Sequence, residues 1–155
     1  MSMKMKIEGA GDIERALGAL ARGTAKSVTR RAMKRALQPV ARSAEGSPFV
    51  IAVTSKLARD QKGWARRDQG RSKIAMYVGP VQQDGSHAPH AHLIEFGTGD
   101  RYHESGKYVG AVMADPFMRP AWDANRERVL EILKREIWTE IEKTIARAAR
   151  KAARG

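Results

Sequence analysis

An apolar stripe in the last third narrows the folds open to this chain. From Ala121 to about Ala149 there is neither glycine nor proline. Trp122, Val129, Leu130, Leu133, Ile137, Ile141 and Ile145 recur at helical spacing, which predicts one long amphipathic helix. Asp115-Pro116 and Pro120 punctuate its start, where a first helical turn accepts proline. Asp123 lies near the start and Arg147, Arg150 and Lys151 near the end, as the helix dipole favours. Glu131 and Arg135 form a pair in the favourable order. At 1.5 Å per residue such a helix spans roughly 40 Å. A small domain rarely covers that length, so one end is expected to pack on something else.

The first third predicts a second long helix, from residue 12 to about 44. Asp12 is a fair N-cap. Ile13, Leu17, Leu20, Val28, Met33, Leu37 and Val40 mostly follow three-and-four spacing. Gly18 and Gly23 weaken this helix, and Pro39 is expected to kink it or end it near Gln38. The run Phe49 to Val53 is compatible with a strand, and Lys73 to Gly79 alternates as a strand stopped by Gly79-Pro80. Ala91 to Phe96 is a strand or a helical turn, followed by a Gly97-Thr98-Gly99 turn. Tyr108, Val109, Ala111 and Val112 suggest a last short strand. The predicted class is α+β, with long N- and C-terminal helices on one face of a small, mainly antiparallel sheet. With 155 residues and no dividing linker, the chain is expected to be one domain over 1–155. It would carry a basic arm or loop at about 54–72 and a flexible basic tail at about 148–155.

Charge narrows the classes of partner. Lys and Arg number 29 against 17 Asp and Glu, a net charge of +12. Such a surface favours nucleic acid, acidic protein or anionic lipid. The cations cluster in the first third, in the arm (Lys56, Arg59, Lys62, Arg66, Arg67, Arg71) and at the C-terminal end. The absence of cysteine excludes disulfides, thiolate metal sites and a cysteine nucleophile. Lys4 and Lys6 have no apolar run behind them, so no signal peptide is expected, and no stretch approaches the roughly 20 apolar residues of a membrane span.

No catalytic constellation emerges. His87, His90 and His92 form HxxHxH, with Glu95 and His103 beyond, but Pro89 interrupts the group and the spacing fits no helical ligand face. Glu95 and Asp100 flank a glycine turn without a third acid to complete a metal-dependent nuclease. The Gly97-Thr98-Gly99 turn lacks the Lys and Ser/Thr of a P-loop. Trp122 and Trp138 suit core or interface anchors better than a base-stacking platform, and only Trp64 sits among cations as single-strand binders arrange. The residues therefore assign no catalytic, cofactor-binding or metal-ligating role.

Two segments carry a resemblance. Ala91-His92-Leu93-Ile94-Glu95-Phe96-Gly97-Thr98 is followed by Asp115-Pro116-Phe117-Met118-Arg119-Pro120-Ala121-Trp122 and then by the long helix. In that combination the chain, from about Asp12 to Ile145, resembles the tail-completion or head–tail joining family of tailed phages (siphophages), typified by gene product ten of the HK-type coliphage. In place of that family's Pro-x-x-Thr-Gly-x-Leu segment stands only Thr54-Ser55-Lys56-Leu57, leading into a longer basic arm. The resemblance implies a non-enzymatic virion protein of the neck or tail, made in the host cytoplasm. It implies a homo-oligomeric ring, commonly six-fold, around the DNA channel, touching connector, tail-tube or terminator subunits, with non-specific DNA contact and no membrane. Glu95, Phe96, Gly97, Thr98, Pro116, Phe117, Arg119, Pro120 and Trp122 become the structural motif, with Phe96, Phe117, Met118 and Trp122 expected to pack the turn against the helix start. The alternative expectation is a basic nucleic-acid-binding module unconnected with virions.

Overall fold

The computed structural model describes residues 10–46, 48–56 and 74–154. Three N-terminal helices come first: α1 (Ala10–Gly18), α2 (Arg22–Ala36) and α3 (Gln38–Ser43). Strands β1 (Val50–Thr54) and β2 (Tyr77–Val81) follow, then helix α4 (Ala91–Phe96). Strands β3 (Thr98–Tyr102) and β4 (Tyr108–Val112) precede the C-terminal helix α5 (Met118–Arg154). The class is α+β, with antiparallel pairing throughout and a C-terminal helix of 37 residues, about 55 Å long.

The N-terminal helix is shorter than its periodicity suggests, because it breaks twice. Gly18 ends α1, and Ala21 restarts the chain from an extended conformation (φ −55°, ψ 138°). Asp12 is thus inside the first turn of α1, ion-paired with Arg15, and not its N-cap. Gly23 is absorbed within α2. The second break falls at Leu37, next to Gln38 as expected, because Pro39 removes a donor and is accommodated in the first turn of a new helix.

The strands form two separate two-stranded ribbons instead of one sheet. β1 pairs with β2 from Val50 opposite Val81 to Thr54 opposite Tyr77. Gly79 and Pro80 lie inside β2, so the Gly-Pro pair does not stop the strand. In a two-stranded ribbon each strand has an unpaired edge, where a missing N–H is tolerated. β3 pairs with β4 through an irregular register and includes Thr98 and Gly99, so the glycine turn reduces to Gly97 alone. Helix α5 continues through residues 148–154, where Ala, Arg and Lys are strong helix formers, so the expected flexible tail is helical as far as Arg154. Residues 57–73, with most of the basic arm (Arg59, Lys62, Arg66, Arg67, Arg71) and Trp64, lie outside the described residues.

Helix α5 packs along α1, α2 and α3. Its upper part joins Ala36, Leu37, Val40 and Ala44 through Ala121 and Val129, with Ile51, Val53, Met76 and Val78 of the first ribbon region against them. Its middle joins Val28 and Ala32 through Ile137 and Ile141, closed by Ile13, Leu17 and Leu20. Leu133 belongs to both clusters and makes the core continuous. Many buried positions are alanine, which lets the helices approach closely.

One carboxylate crosses this seam. Glu140, 2% exposed, accepts from Arg31 Nε at 2.7 Å and Arg35 Nη1 at 2.8 Å, and Arg35 also reaches Glu136 at 2.9 Å. Burial pushes the Glu140 carboxyl up, but the two guanidiniums outweigh it and hold it below the ordinary carboxylate range. The Arg35 guanidinium is correspondingly raised, first by Glu136 and then by Glu140. Both arginines are about half exposed and keep much of their hydration when the acid is removed. Glu140→Ala is therefore expected to cost about 1–2 kcal/mol in urea denaturation, less than a fully buried pair would. Glu140→Met, which refills the volume, should cost less than Glu140→Ala.

Candidate functional site: a carboxylate clasp at the root of an exposed hairpin

The two motif segments meet at one side chain. Glu95, at the end of α4, is buried at 8% exposure and points at the start of α5. Its Oε2 accepts from the backbone N–H groups of Phe117 (2.8 Å) and Met118 (2.9 Å), and its Oε1 from that of Arg119 (2.9 Å). A helix begins with four backbone N–H groups that have no partner inside it. Here three donate to Glu95, and the fourth position is Pro120, which has no N–H. The carboxylate and the proline together leave no orphan donor in the first turn. Burial acts to raise the Glu95 carboxyl, but the three N–H groups and the nearby Arg119 charge overcome it and hold it low. The negative charge also sits at the positive end of the α5 dipole.

Gly97 allows the chain to turn out of this clasp. Its φ of 68° with ψ of −177° lies in a region that side chains avoid. A Cβ there would stand 2.7 Å from the Ala114 nitrogen and 2.8 Å from the Val112 oxygen, so both conformation and space demand glycine. Thr98 then accepts from the Val112 N–H through Oγ1 at 3.0 Å, and the Asp115 N–H donates to the Ile94 carbonyl at 2.8 Å. Both feet of the β3–β4 hairpin are thus fastened to α4 and to the start of α5.

The motif residues separate into inner and outer sets. Phe117 and Met118 are half-buried against the core, and the Phe117 ring lies 6.2 Å from that of Phe49. Phe96 and Trp122 do not pack there: they are 66% and 44% exposed, because α4 is too short to bury its last residue and Trp122 follows Ala121, which occupies the inward position. Pro116, Arg119 and Pro120 are exposed around the helix start. Trp122 and Trp138 are sixteen positions apart, about 160° around the helix, so they form no common platform.

The hairpin stands away from the core; of its outer residues the sequence points only to Tyr108 and Val109, as part of a short strand and not as a surface. Tyr102, Tyr108, Val109 and Met113 are all more than half exposed, as is Phe96 at its root. The Tyr102 and Tyr108 rings meet across the strands at 5.4 Å, tilted by 60°, and the Tyr108 hydroxyl donates to Asp100 at 3.1 Å. β3 carries Asp100 and Arg101, whereas Tyr108 to Ala114 holds no charge, so the β4 side lacks the charges that usually protect an edge. That uncharged run was the available signal. Beyond Ile141 no residue of α5 is buried, and Ile145 is largely exposed.

His87, His90, His92 and His103 do not converge: among the described residues no group of three or more His, Asp or Glu side chains is placed to hold a metal. Among them also, no helix is long and apolar enough to cross a membrane. Comparison with protein-family models, with curated proteins and with solved structures finds no match to this chain.

Proposed function

We propose that this chain is a structural protein of a phage or prophage virion that acts in head–tail joining or tail completion. It works by assembling as a ring around the DNA channel at the neck, against connector, tail-tube or terminator subunits, after synthesis in the host cytoplasm. The observation that carries this reading is the exposed β3–β4 hairpin, rigidly rooted yet apolar on the outside. A hairpin of two strands is marginal alone in water, and exposed apolar patches of this kind mark interaction surfaces. The α5 overhang beyond Ile141, about 20 Å long, offers a second contact surface. Heterologous contacts between copies close into a ring when the rotation permits. The resemblance of the segments around Glu95 and Phe117 supplies the virion context, and the clasp gives those segments a shared physical role.

Sedimentation velocity and negative-stain microscopy test it, on the wild-type chain and on Val109→Asp/Met113→Asp. The wild type is expected to form a discrete, salt-tolerant ring, alone or when mixed with heads and tails it joins. The double variant should remain monomeric with unchanged circular dichroism. A wild-type monomer that binds DNA with steep salt dependence, and joins no heads to tails, would instead favour a free nucleic-acid-binding module.

A further inference from the structure

Helix α2 carries two sets of cations with opposite fates. Arg31 and Arg35 face α5 and are neutralised by Glu136 and Glu140. Arg22, Lys26, Arg30 and Lys34 form a second row at steps of four residues. Among the described residues none of these four meets a carboxylate within ion-pair distance. Like charges at this spacing repel, and the first turn of α2 holds no acid to offset Arg22 or Lys26. Only Lys34, in the last turn of α2, is favoured by the helix dipole, so the fold gains little from the rest of the row.

The row has a receptive foot. Arg30, Arg31 and Lys34 line an open cleft of about 260 Å³ together with Val53, Thr54, Ser55 and Met76. Arg31 is held in place there by Glu140 and by the Ser27 hydroxyl at 2.8 Å. Guanidinium, ammonium and hydroxyl groups are the donors that proteins direct at phosphate oxygens. Successive cations of the row rise about 6 Å along the helix, a regular repeat suited to a regular polyanion. Among the described residues no aromatic side chain lies in the row or in the cleft, so bases have no stacking partner there.

We infer that the Arg22–Lys26–Arg30–Lys34 row, with the cleft at its foot, binds the sugar–phosphate backbone of duplex DNA without reading its sequence. The inference rests on the ring reading only for its location, where the row lines the DNA channel. The contact itself is measurable on the full chain. Fluorescence anisotropy with two unrelated duplexes, from about 50 to 200 mM salt, gives log K against log salt. Arg30→Gln/Lys34→Gln should lower the magnitude of that slope by about 2, equally for both duplexes. Arg126→Gln/Arg128→Gln removes the same charge from exposed positions of α5 outside the overhang and should leave the slope unchanged. Polyglutamate should compete poorly.

An unchanged slope in Arg30→Gln/Lys34→Gln would overturn the inference. So would an equal loss in Arg126→Gln/Arg128→Gln, which would mean that only total charge matters. Polyglutamate competing as well as DNA would make the row a seat for acidic protein. Sedimentation of the same samples keeps the two proposals apart, because ring formation does not require Arg30 or Lys34. A ring with no row-dependent slope defeats only the DNA contact, and a row-dependent slope without a ring defeats only the assembly.

Discussion

Glu95→Ala is expected to cost about 3–4 kcal/mol of folding stability, a large part of the roughly 5–15 kcal/mol typical of a domain. Three backbone donors lose a charged acceptor at once, in a place where Glu95 itself is buried. An ordinary N-cap loss is nearer 1 kcal/mol, because one donor is involved and water replaces the cap. Glu95→Gln should fall between, at about 1–2 kcal/mol, since its amide keeps one acceptor but turns a donor towards the others. Urea denaturation followed by circular dichroism measures all three.

The same carboxylate sets a pH dependence. Glu95 and Glu140 are both held below the ordinary glutamate value of 4.5 in the folded chain. The unfolded state therefore binds protons first as pH falls. Their stabilisation is complete above the unfolded value and is lost as pH drops through the lower, folded values. Stability should fall below about pH 4.5 in the wild type. Glu95→Gln should show a shallower acid slope, because one of the two buried linked carboxylates is gone.

Gly97→Ala is the second large effect, expected at about 3 kcal/mol or more. The alanine Cβ meets backbone atoms of Val112 and Ala114, which cannot swing aside as a flexible side chain would. Relief requires the hairpin root to move, and the Val112 to Thr98 hydrogen bond moves with it. Gly110→Ala is the natural comparison: its φ is also positive, at 92°, but a Cβ there meets nothing within 4 Å. It should cost only about 1–2 kcal/mol, from backbone strain alone. Thermal unfolding of the two variants side by side checks the difference.

How much of this was legible in the sequence depends on how far each residue's physical role reaches along the chain. Helix α5 was plain because Val129, Leu133, Ile137 and Ile141 bury one face at a helical period. The break near Gln38 was plain because proline acts locally. The division at Gly18 was less so, since glycine only weakens a helix and Gly23 is tolerated nearby. Strand β3 left no trace: Gly99, Asp100, Arg101 and Tyr102 are all exposed, so hydropathy had no buried face to report. The role of Glu95 was out of reach of local rules. A capping carboxylate normally stands within a few residues of its helix, and this one comes from more than twenty residues away. Only the resemblance brought its segment and that of Phe117 together. The Glu140 clasp was hidden for the same reason, as its arginines lie over a hundred residues upstream.

On the proposed function this chain acts as a building block that other subunits complete. The most direct test is electron microscopy and infectivity of particles from the encoding phage or prophage with this gene deleted. The expected result is filled heads and separate tails that fail to join, with joining restored by the wild-type chain and not by Val109→Asp/Met113→Asp. Fully joined, infectious particles in the absence of the chain would contradict it.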